Sequence, residues 1–217
     1  MDMLEGETAV RDYALERLMM LSDGVFAIAM TLLALDLRIP DNWNHTLSDL
    51  LTQLSLPFQA FFWSFFSAAS FWMIHRRLFG LYRRADRTLT VLNLVLLGEI
   101  TLIPVITRII TAMQLSLGGI ALYLATFELI GLTNAACWLH ASGRARLIAQ
   151  PVGTAARLVV ALIQCTVPVG MTSLGMFSSR PGMKWLLALL PAPFYAAHYA
   201  RRYADAFDHR HAPRAPV

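Results

Sequence analysis

The sequence predicts an all-α integral membrane protein that crosses the bilayer six times, and three observations support this fold class. The 217-residue chain is 57% hydrophobic and 15% charged, with a mean hydropathy of +0.53. A soluble domain normally carries about 25% charged residues. Long apolar segments recur along the chain, and the basic residues are distributed unequally among the connections between them.

Six apolar segments are long enough to cross the hydrocarbon core of a bilayer, which requires about 20 helical residues. They lie at about 18–38, 56–76, 88–110, 118–140, 155–177 and 184–201. The connections between them are short and leave no room for a soluble catalytic domain. We therefore expect one transmembrane domain over residues 1–203 and a disordered cytoplasmic tail over residues 204–217.

The basic residues provide an independent test of this count, because cytoplasmic loops of membrane proteins are enriched in Lys and Arg. When the six segments alternate in direction, 14 of the 18 basic residues fall on one side of the membrane. The other side receives Arg38, Arg108, Arg180 and Lys184. This asymmetry predicts a multi-pass protein of the cell membrane with both termini in the cytoplasm, and with residues 41–54, 111–118 and 178–184 outside.

The first apolar segment contains a polar group that a membrane helix normally avoids. Residues 17–40 read RLMMLSDGVFAIAMTLLALDLRIP, and a carboxylate at the centre of a span costs roughly 2.5–3.5 kcal/mol on insertion scales. Asp23 must therefore face protein or water and have a partner. At about 100° per residue, a helical wheel places Asp23 almost opposite a narrow stripe. The stripe consists of Gly24, Ile28, Thr31, Leu32 and Leu35.

The alternating topology places five polar residues at a similar depth near the cytoplasmic side. They are Arg17, Ser22 and Asp23 on the first helix, His75 on the second and Asn93 on the third. A buried carboxylate in such a layer requires cations or several hydrogen-bond donors around it. The favoured interpretation is a polar cluster that fixes the first helix against its neighbours; a proton relay and a metal site are the functional alternatives. One His and one Asp make a poor zinc site, so we expect no metal.

The start of the first helix closely resembles the signature of one known family. From Arg17 to Leu33 the residues read R-x-x-x-L-S-D-G-V-F-A-I-A-x-T-L-L. This pattern resembles the R-x-x-x-F-S-D signature of the prokaryotic branch of the lysosomal potassium channels, the transmembrane-protein-175 family. The segments Phe71-Trp72-x-x-His75 and Leu92-Asn93-Leu94 look like the second and third helices of that family. Leu21 is a departure, since the family has Phe at that position.

The resemblance implies a potassium-permeable channel that has no filter loop and a pore lined by the first helix. The pore isoleucine of the family matches Ile28, and its next apolar rings match Leu32 and Leu35; Thr31 and Ala27 are the expected support for selectivity. One helix encloses no pore, so copies of the stripe must meet around a symmetry axis. Eukaryotic members resemble two such units fused and working as a dimer. The single signature segment here therefore implies a homotetramer.

Three further carboxyl groups are candidates for function. Asp36 lies near the outer end of the first helix and is a candidate for a ring of charge at the pore mouth, although Arg38 beside it would neutralise it. Glu99 and Glu128 lie near the midpoints of the third and fourth helices. If adjacent, they could share a proton, which is what a proton-coupled transporter would require. The structural alternative is two neutral carboxyl groups hydrogen-bonded inside the bundle.

Other functional classes have sequence motifs that this chain lacks. There is no H-E-x-x-H, G-x-S-x-G or P-loop motif, so we expect no enzymatic activity. There is also no T-V-G-Y-G filter and no helix with Arg at every third position, which excludes a filter-type channel and a voltage sensor. We expect no cofactor besides permeant potassium ions and no nucleic-acid partner. The alternatives to a channel are a proton-coupled transporter using Glu99 and Glu128, or a non-conducting membrane scaffold.

Overall fold

A computed structural model describes residues 13–144, 147–148, 152–178, 200 and 202 of the chain. Within these residues the protein is all-helical, which confirms the predicted class. The five helices are α1 (Tyr13–Leu35), α2 (Leu47–Phe79), α3 (Arg87–Ala112), α4 (Leu117–Ser142) and α5 (Thr154–Ser178). The expected sixth helix at 184–201, except residue 200, and the expected tail at 204–217 lie outside the described residues.

Helix α2 begins at residue 47 rather than at about residue 56, so the second half of the expected outer connection is helical. Thr46 is the N-cap residue, and its hydroxyl accepts a hydrogen bond from the Asp49 backbone N–H at 3.3 Å. The Asp49 carboxylate in the first turn also favours the positive end of the helix dipole. The connection between α1 and α2 is therefore limited to residues 36–46.

Three of the described helices, α1, α3 and α4, are long and apolar enough to cross a membrane. Helix α2 has 33 residues but is less apolar, because it carries buried polar side chains such as Ser64, Ser67 and His75. Helix α5 contains a shorter apolar segment, Thr154–Thr166, within its described residues. Length and composition thus identify three spans of a multi-pass membrane protein, and six spans remain a prediction.

The helices form a bundle in which α1 packs with one face only. Its buried residues recur every three or four positions, and they are Leu15, Leu18, Ser22, Phe26, Ala29 and Leu33. This face contacts α2 and α3, while α4 packs most extensively on α5 and α3. The opposite face of α1 is left at the surface of the protomer.

At one end of the bundle the α2–α3 and α4–α5 connections contact each other. The Arg83 backbone N–H donates to the Leu147 carbonyl at 2.8 Å, and the Asp86 carboxylate pairs with His140 Nε2 at 2.9 Å. Partial burial of Asp86 opposes ionisation, but the Leu89 N–H, His140 and Arg144 outweigh it and hold the pKa of Asp86 below its ordinary value. These contacts tie together the Arg-rich end of the bundle.

Candidate ion-conducting surface

The predicted stripe on α1 lies on the exposed face of the protomer. The exposed fractions are 60% for Ile28, 42% for Leu32 and 69% for Leu35. Ala27 and Thr31 are also exposed, and the Thr31 hydroxyl donates back to the Ile28 carbonyl at 2.8 Å. A continuous apolar face of this kind on a membrane helix contacts either lipid or another copy of the chain.

Gly24 continues this face toward the N-terminal end of α1. A Cβ atom built on Gly24 would have no atom within 4 Å, apart from its chain neighbours and the helix's own backbone. Packing inside the protomer therefore does not require a glycine here. The residues along the face change from small, at Gly24 and Ala27, to bulky, at Ile28, Leu32 and Leu35.

A buried hydrogen-bond network joins α1, α2 and α3 behind this face. The Asn93 side-chain amide donates to Ser22 Oγ at 3.0 Å, and the Ser22 hydroxyl donates to the Leu18 carbonyl at 2.8 Å. Asn93 Oδ1 accepts from His75 Nε2 at 2.8 Å, so this nitrogen carries the hydrogen. The three side chains are at most 2% exposed. No group of three potential metal ligands occurs in the part of the chain that the structure describes.

Asp23 lies beside this network and has a partner that the sequence analysis missed. The Trp72 indole N–H donates to Asp23 Oδ1 at 2.8 Å, and the Arg76 guanidinium lies over the Trp72 ring, 5.5 Å from its centroid. Trp72 is three positions before His75, so both project from the same side of α2. This spacing was the available signal for Trp72.

Arg17 is not part of the polar cluster expected around Asp23. Its guanidinium lies over the Tyr13 ring at 5.8 Å, and among the described residues no contact joins it to Ser22, Asp23 or His75. The structure thus brings together Ser22, His75 and Asn93, places Asp23 next to them on Trp72, and leaves Arg17 at the surface.

Asp36 at the other end of α1 is paired with α3 rather than with its sequence neighbour. Arg108 forms a salt bridge to Asp36 Oδ1, and the Asp36 side chain is only 17% exposed. The expectation that Arg38 neutralises this carboxylate is therefore wrong, because Arg108 does so. The charge of Asp36 is compensated within the protomer.

Glu99 and Glu128 have different surroundings and do not form a pair. Glu99 is 8% exposed, and its Oε1 accepts a hydrogen bond from Thr133 Oγ1 at 2.8 Å. Thr133 lies five positions after Glu128, or about 140° around α4. No contact joins the two carboxyl groups within the described ranges, so the shared proton that a transporter would need has no structural basis here.

Comparison with protein families gives a match over residues 17–104 to the family model described as endosomal/lysosomal potassium channel TMEM175. This region covers most of α1, all of α2 and most of α3, and it includes the stripe and the buried network. The match therefore falls on the part of the chain that carries the candidate site.

Several curated proteins are similar to this chain. A potassium channel of Chamaesiphon minutus is 33% identical over 135 residues, which are 59% of this chain and 66% of that protein. A potassium channel of Streptomyces collinus is 30% identical over 150 residues, covering 65% of this chain and 73% of that protein. The endosomal/lysosomal proton channel TMEM175 of Gallus gallus is 33% identical over 98 residues, only 20% of its length. The chain thus spans about two thirds of the first of these relatives.

A solved structure shares the fold. The crystal structure of a lysosomal potassium-selective channel TMEM175 homolog from Chamaesiphon minutus matches with a TM-score of 0.59 at 24% identity. The match covers 89% of this chain and 99% of that chain. At this level of identity the likeness establishes the architecture.

Proposed function

Because the chain belongs to the TMEM175 family, in the branch that includes bacterial potassium channels, we propose that it is a potassium-permeable cation channel of the cell membrane. The family is one of ion channels, not of enzymes. The proposed conduction is passive and uses no cofactor. Its partners are potassium ions, the lipid bilayer and other copies of the same chain.

The observation that supports this proposal most strongly is the exposed face of α1. Ile28, Leu32 and Leu35 are between 42% and 69% exposed, although the opposite face of the same helix is packed into the bundle. Four copies arranged around an axis would cover this face and line a pore with it. A homotetramer fits the single signature segment in the chain, and closed symmetry is the usual solution for such assemblies.

The order of residues along the face suggests where the pore is narrow. Around an axis, Gly24 and Ala27 would leave a wide entrance, and a ring of Ile28 side chains would form the first constriction. Leu32 and Leu35 would extend it by about two turns. Hydrophobic constrictions of this kind close by dewetting, so this ring is the proposed gate.

The proposed selectivity depends mainly on the width of the pore at Ile28. Thr31 is the nearest hydroxyl; it donates its hydrogen to the Ile28 carbonyl at 2.8 Å, and its oxygen is the single polar atom that this residue offers a cation. The chain also has no T-V-G-Y-G segment whose carbonyl oxygens could replace the hydration shell of an ion. We therefore expect a moderate preference for potassium over sodium.

The buried network supports this mechanism by fixing the rotation of α1. Ser22 lies on the packed face of α1 and accepts a hydrogen bond from Asn93 on α3. Asn93 in turn accepts a hydrogen bond from His75 on α2, so the three helices are joined. With this face fixed, Ile28 must point away from the protomer. We propose that Ser22, His75 and Asn93 act as a structural clamp and that Asp23 and Trp72 reinforce it.

The proposed orientation places both termini in the cytoplasm. It is supported by the Arg-rich connections that meet at one end of the bundle, where Arg83 contacts Leu147 and Asp86 contacts His140. Cytoplasmic loops are enriched in such residues. Chemical labelling of a cysteine introduced at residue 84 from the inside only would support this orientation.

Potassium flux from liposomes tests the proposed function. Vesicles loaded with potassium and containing the purified protein should release it without any proton gradient, and more slowly release sodium when loaded with that ion. Glu99→Gln provides a matched control, because it removes the carboxyl group that a proton-coupled transporter would use and should leave the flux unchanged. Flux that requires an imposed proton gradient, or that is lost in Glu99→Gln, would instead support the transporter.

A further inference from the structure

A cavity of about 330 Å³ lies at the end of the bundle opposite the Arg-rich connections. It is a half-open cavity lined by the end of α1 and the connection that follows it, by the C-terminal end of α3, and by the segment of α2 around Pro57. Its walls include the apolar side chains of Leu37 and Phe61, and its polar lining includes Arg38 and Arg108. The volume is at the lower end of the range for small-molecule sites, which suits a head group rather than a whole lipid.

The charge of this cavity favours an anion. Arg38 and Arg108 contribute two positive charges and Asp36 one negative charge, so the lining has a net charge of +1. Arg108 uses one guanidinium nitrogen for Asp36, and its side chain is 70% exposed. Arg38 has no side-chain partner among the described residues. Since a guanidinium has five N–H donors in a planar fork that matches phosphate oxygens, most donors of this pair are free.

Two threonine hydroxyl groups also line the cavity, but both of them donate to other protein atoms. Thr107 Oγ1 already donates to Ser64 Oγ at 2.7 Å, and Thr111 Oγ1 donates to the Arg108 carbonyl at 2.8 Å. Neither hydroxyl has a free hydrogen to offer an anion. Recognition in this cavity therefore depends on the two arginines.

The position of these arginines is itself unusual. The proposed topology leaves only four basic residues on the outer side. This agrees with the positive-inside rule, by which Lys and Arg concentrate in cytoplasmic loops. Two of the four, Arg38 and Arg108, belong to the described residues, and both line this one cavity. Arg38 reaches the cavity from the α1–α2 connection and Arg108 from α3, and this convergence of two cations favours a binding function.

We propose that this cavity binds the phosphate group of a phospholipid in the adjacent leaflet, with Arg38 and Arg108 as its two cationic contacts. A lipid is favoured over free phosphate because exposed apolar residues lie beside the arginines and on α2, which forms one wall of the cavity. Ile39 is 66% exposed and Phe58 54%, and they offer acyl chains a surface beside the charged site. A bound lipid would link the ends of α1 and α3 alongside the Asp36–Arg108 salt bridge. The same charged site could accept inorganic phosphate, so the test compares both.

Binding to the full chain in a non-ionic detergent tests the proposal. A short-chain phosphatidylglycerol should bind saturably by isothermal titration calorimetry, whereas a diacylglycerol with the same two chains should not. Arg38→Gln should weaken phosphatidylglycerol binding roughly tenfold, as expected for one charge-assisted contact, and Arg38→Lys should recover part of the loss. Arg84→Gln, an exposed arginine at the opposite end of the bundle, is the matched control and should bind like the wild type.

Three results would overturn the proposal. The first is equal binding of the uncharged diacylglycerol, and the second is unchanged affinity in Arg38→Gln. The third is saturation by inorganic phosphate at the same concentration as the lipid, which would assign the cavity to free phosphate. The comparison of probes on the wild-type protein decides the question even if Arg38→Gln does not fold. The outcome is independent of potassium flux, so it does not depend on the proposed channel activity.

Discussion

Replacing Ser22 by alanine is expected to loosen α1 from α3. The Ser22 hydroxyl accepts the Asn93 amide at 3.0 Å in a site where both residues are 0% exposed. In a soluble core, leaving such a buried donor unpaired costs about 1–3 kcal/mol. Between membrane helices, measured interhelical bonds average about 0.6 kcal/mol and reach about 1.7, because the unfolded state in the membrane also finds partners. The expected loss in the free energy of unfolding is therefore about 0.6–1.7 kcal/mol.

Ser70→Ala is the matched control for this change. The Ser70 hydroxyl donates to the Phe66 carbonyl at 2.8 Å, in the same way as Ser22 donates to Leu18 at 2.8 Å. Ser70 is also buried, with 7% exposed, but no interhelical bond to it is found among the described residues. The difference between the two alanine variants therefore isolates the bond between Ser22 and Asn93.

Reversible unfolding in mixed micelles with increasing dodecyl sulfate, followed by circular dichroism, measures both free energies. The cycle that adds Asn93→Ala should show coupling with Ser22→Ala, since the two residues act as one unit. If Ser22→Ala and Ser70→Ala were indistinguishable, with no coupling to Asn93→Ala, the network would not fix α1 and the clamp would be refuted.

Three further changes probe other parts of the structure. Gly131→Ala should destabilise the protein by about 1–3 kcal/mol, because its Cβ would lie 2.9 Å from a backbone oxygen of α5. Gly98→Ala, whose Cβ would have nothing within 4 Å, is the control. Equal shifts of the melting temperature in the two variants would contradict the close packing of α4 on α5. Trp72→Phe should leave Asp23 without its 2.8 Å donor and lower the yield of assembled oligomer in light scattering, and an unchanged yield would contradict this role. Folding lowers the pKa of Asp86, so its ionised carboxylate should stabilise the protein fully above the unfolded pKa of about 3.9. This stabilisation should be lost as the pH falls through the lower pKa of the folded state. Thermal unfolding at several pH values measures this dependence, which should be absent in Asp86→Asn.

The two faces of α1 could be predicted from the sequence because a single helix obeys one period. Leu18, Ser22 and Phe26 recur every four positions and are buried, whereas Ile28 and Leu35 fall on the other side and are exposed. Periodicity of this kind is a local property. It needs no knowledge of which helix lies opposite.

The start of α2 was missed because apolarity was used to delimit membrane helices. Residues 47–55 contain the polar side chains of Ser48, Asp49 and Gln53, so this segment does not read as part of an apolar span. It nevertheless belongs to the same helix. The capping pair of Thr46 and Asp49 was visible in the sequence and signals a helix start. It marks the boundary better than hydropathy does.

Pairings between helices were the least predictable part of the candidate site. Arg108 is 72 positions from Asp36, and no local pattern connects the two residues. Arg38 is only two positions from Asp36, but closeness in sequence did not identify the partner. Depth alone likewise left open whether Glu99 and Glu128 meet. Depth fixes the level of a residue in the membrane, but the rotation of each helix about its axis decides which residues make contact.

Single-channel recording of the reconstituted protein with Ile28→Asn tests the central claim most directly. A polar ring in place of the proposed isoleucine constriction should stay hydrated. We therefore expect a higher open probability or leak and a weaker preference for potassium over sodium. Leu102→Asn is the matched control, because Leu102 is 49% exposed on α3 and lies outside the stripe; its conductance should be that of the wild type. If Ile28→Asn assembled correctly and conducted with unchanged amplitude and selectivity, Ile28 would not line the pore and the assignment of α1 would be contradicted.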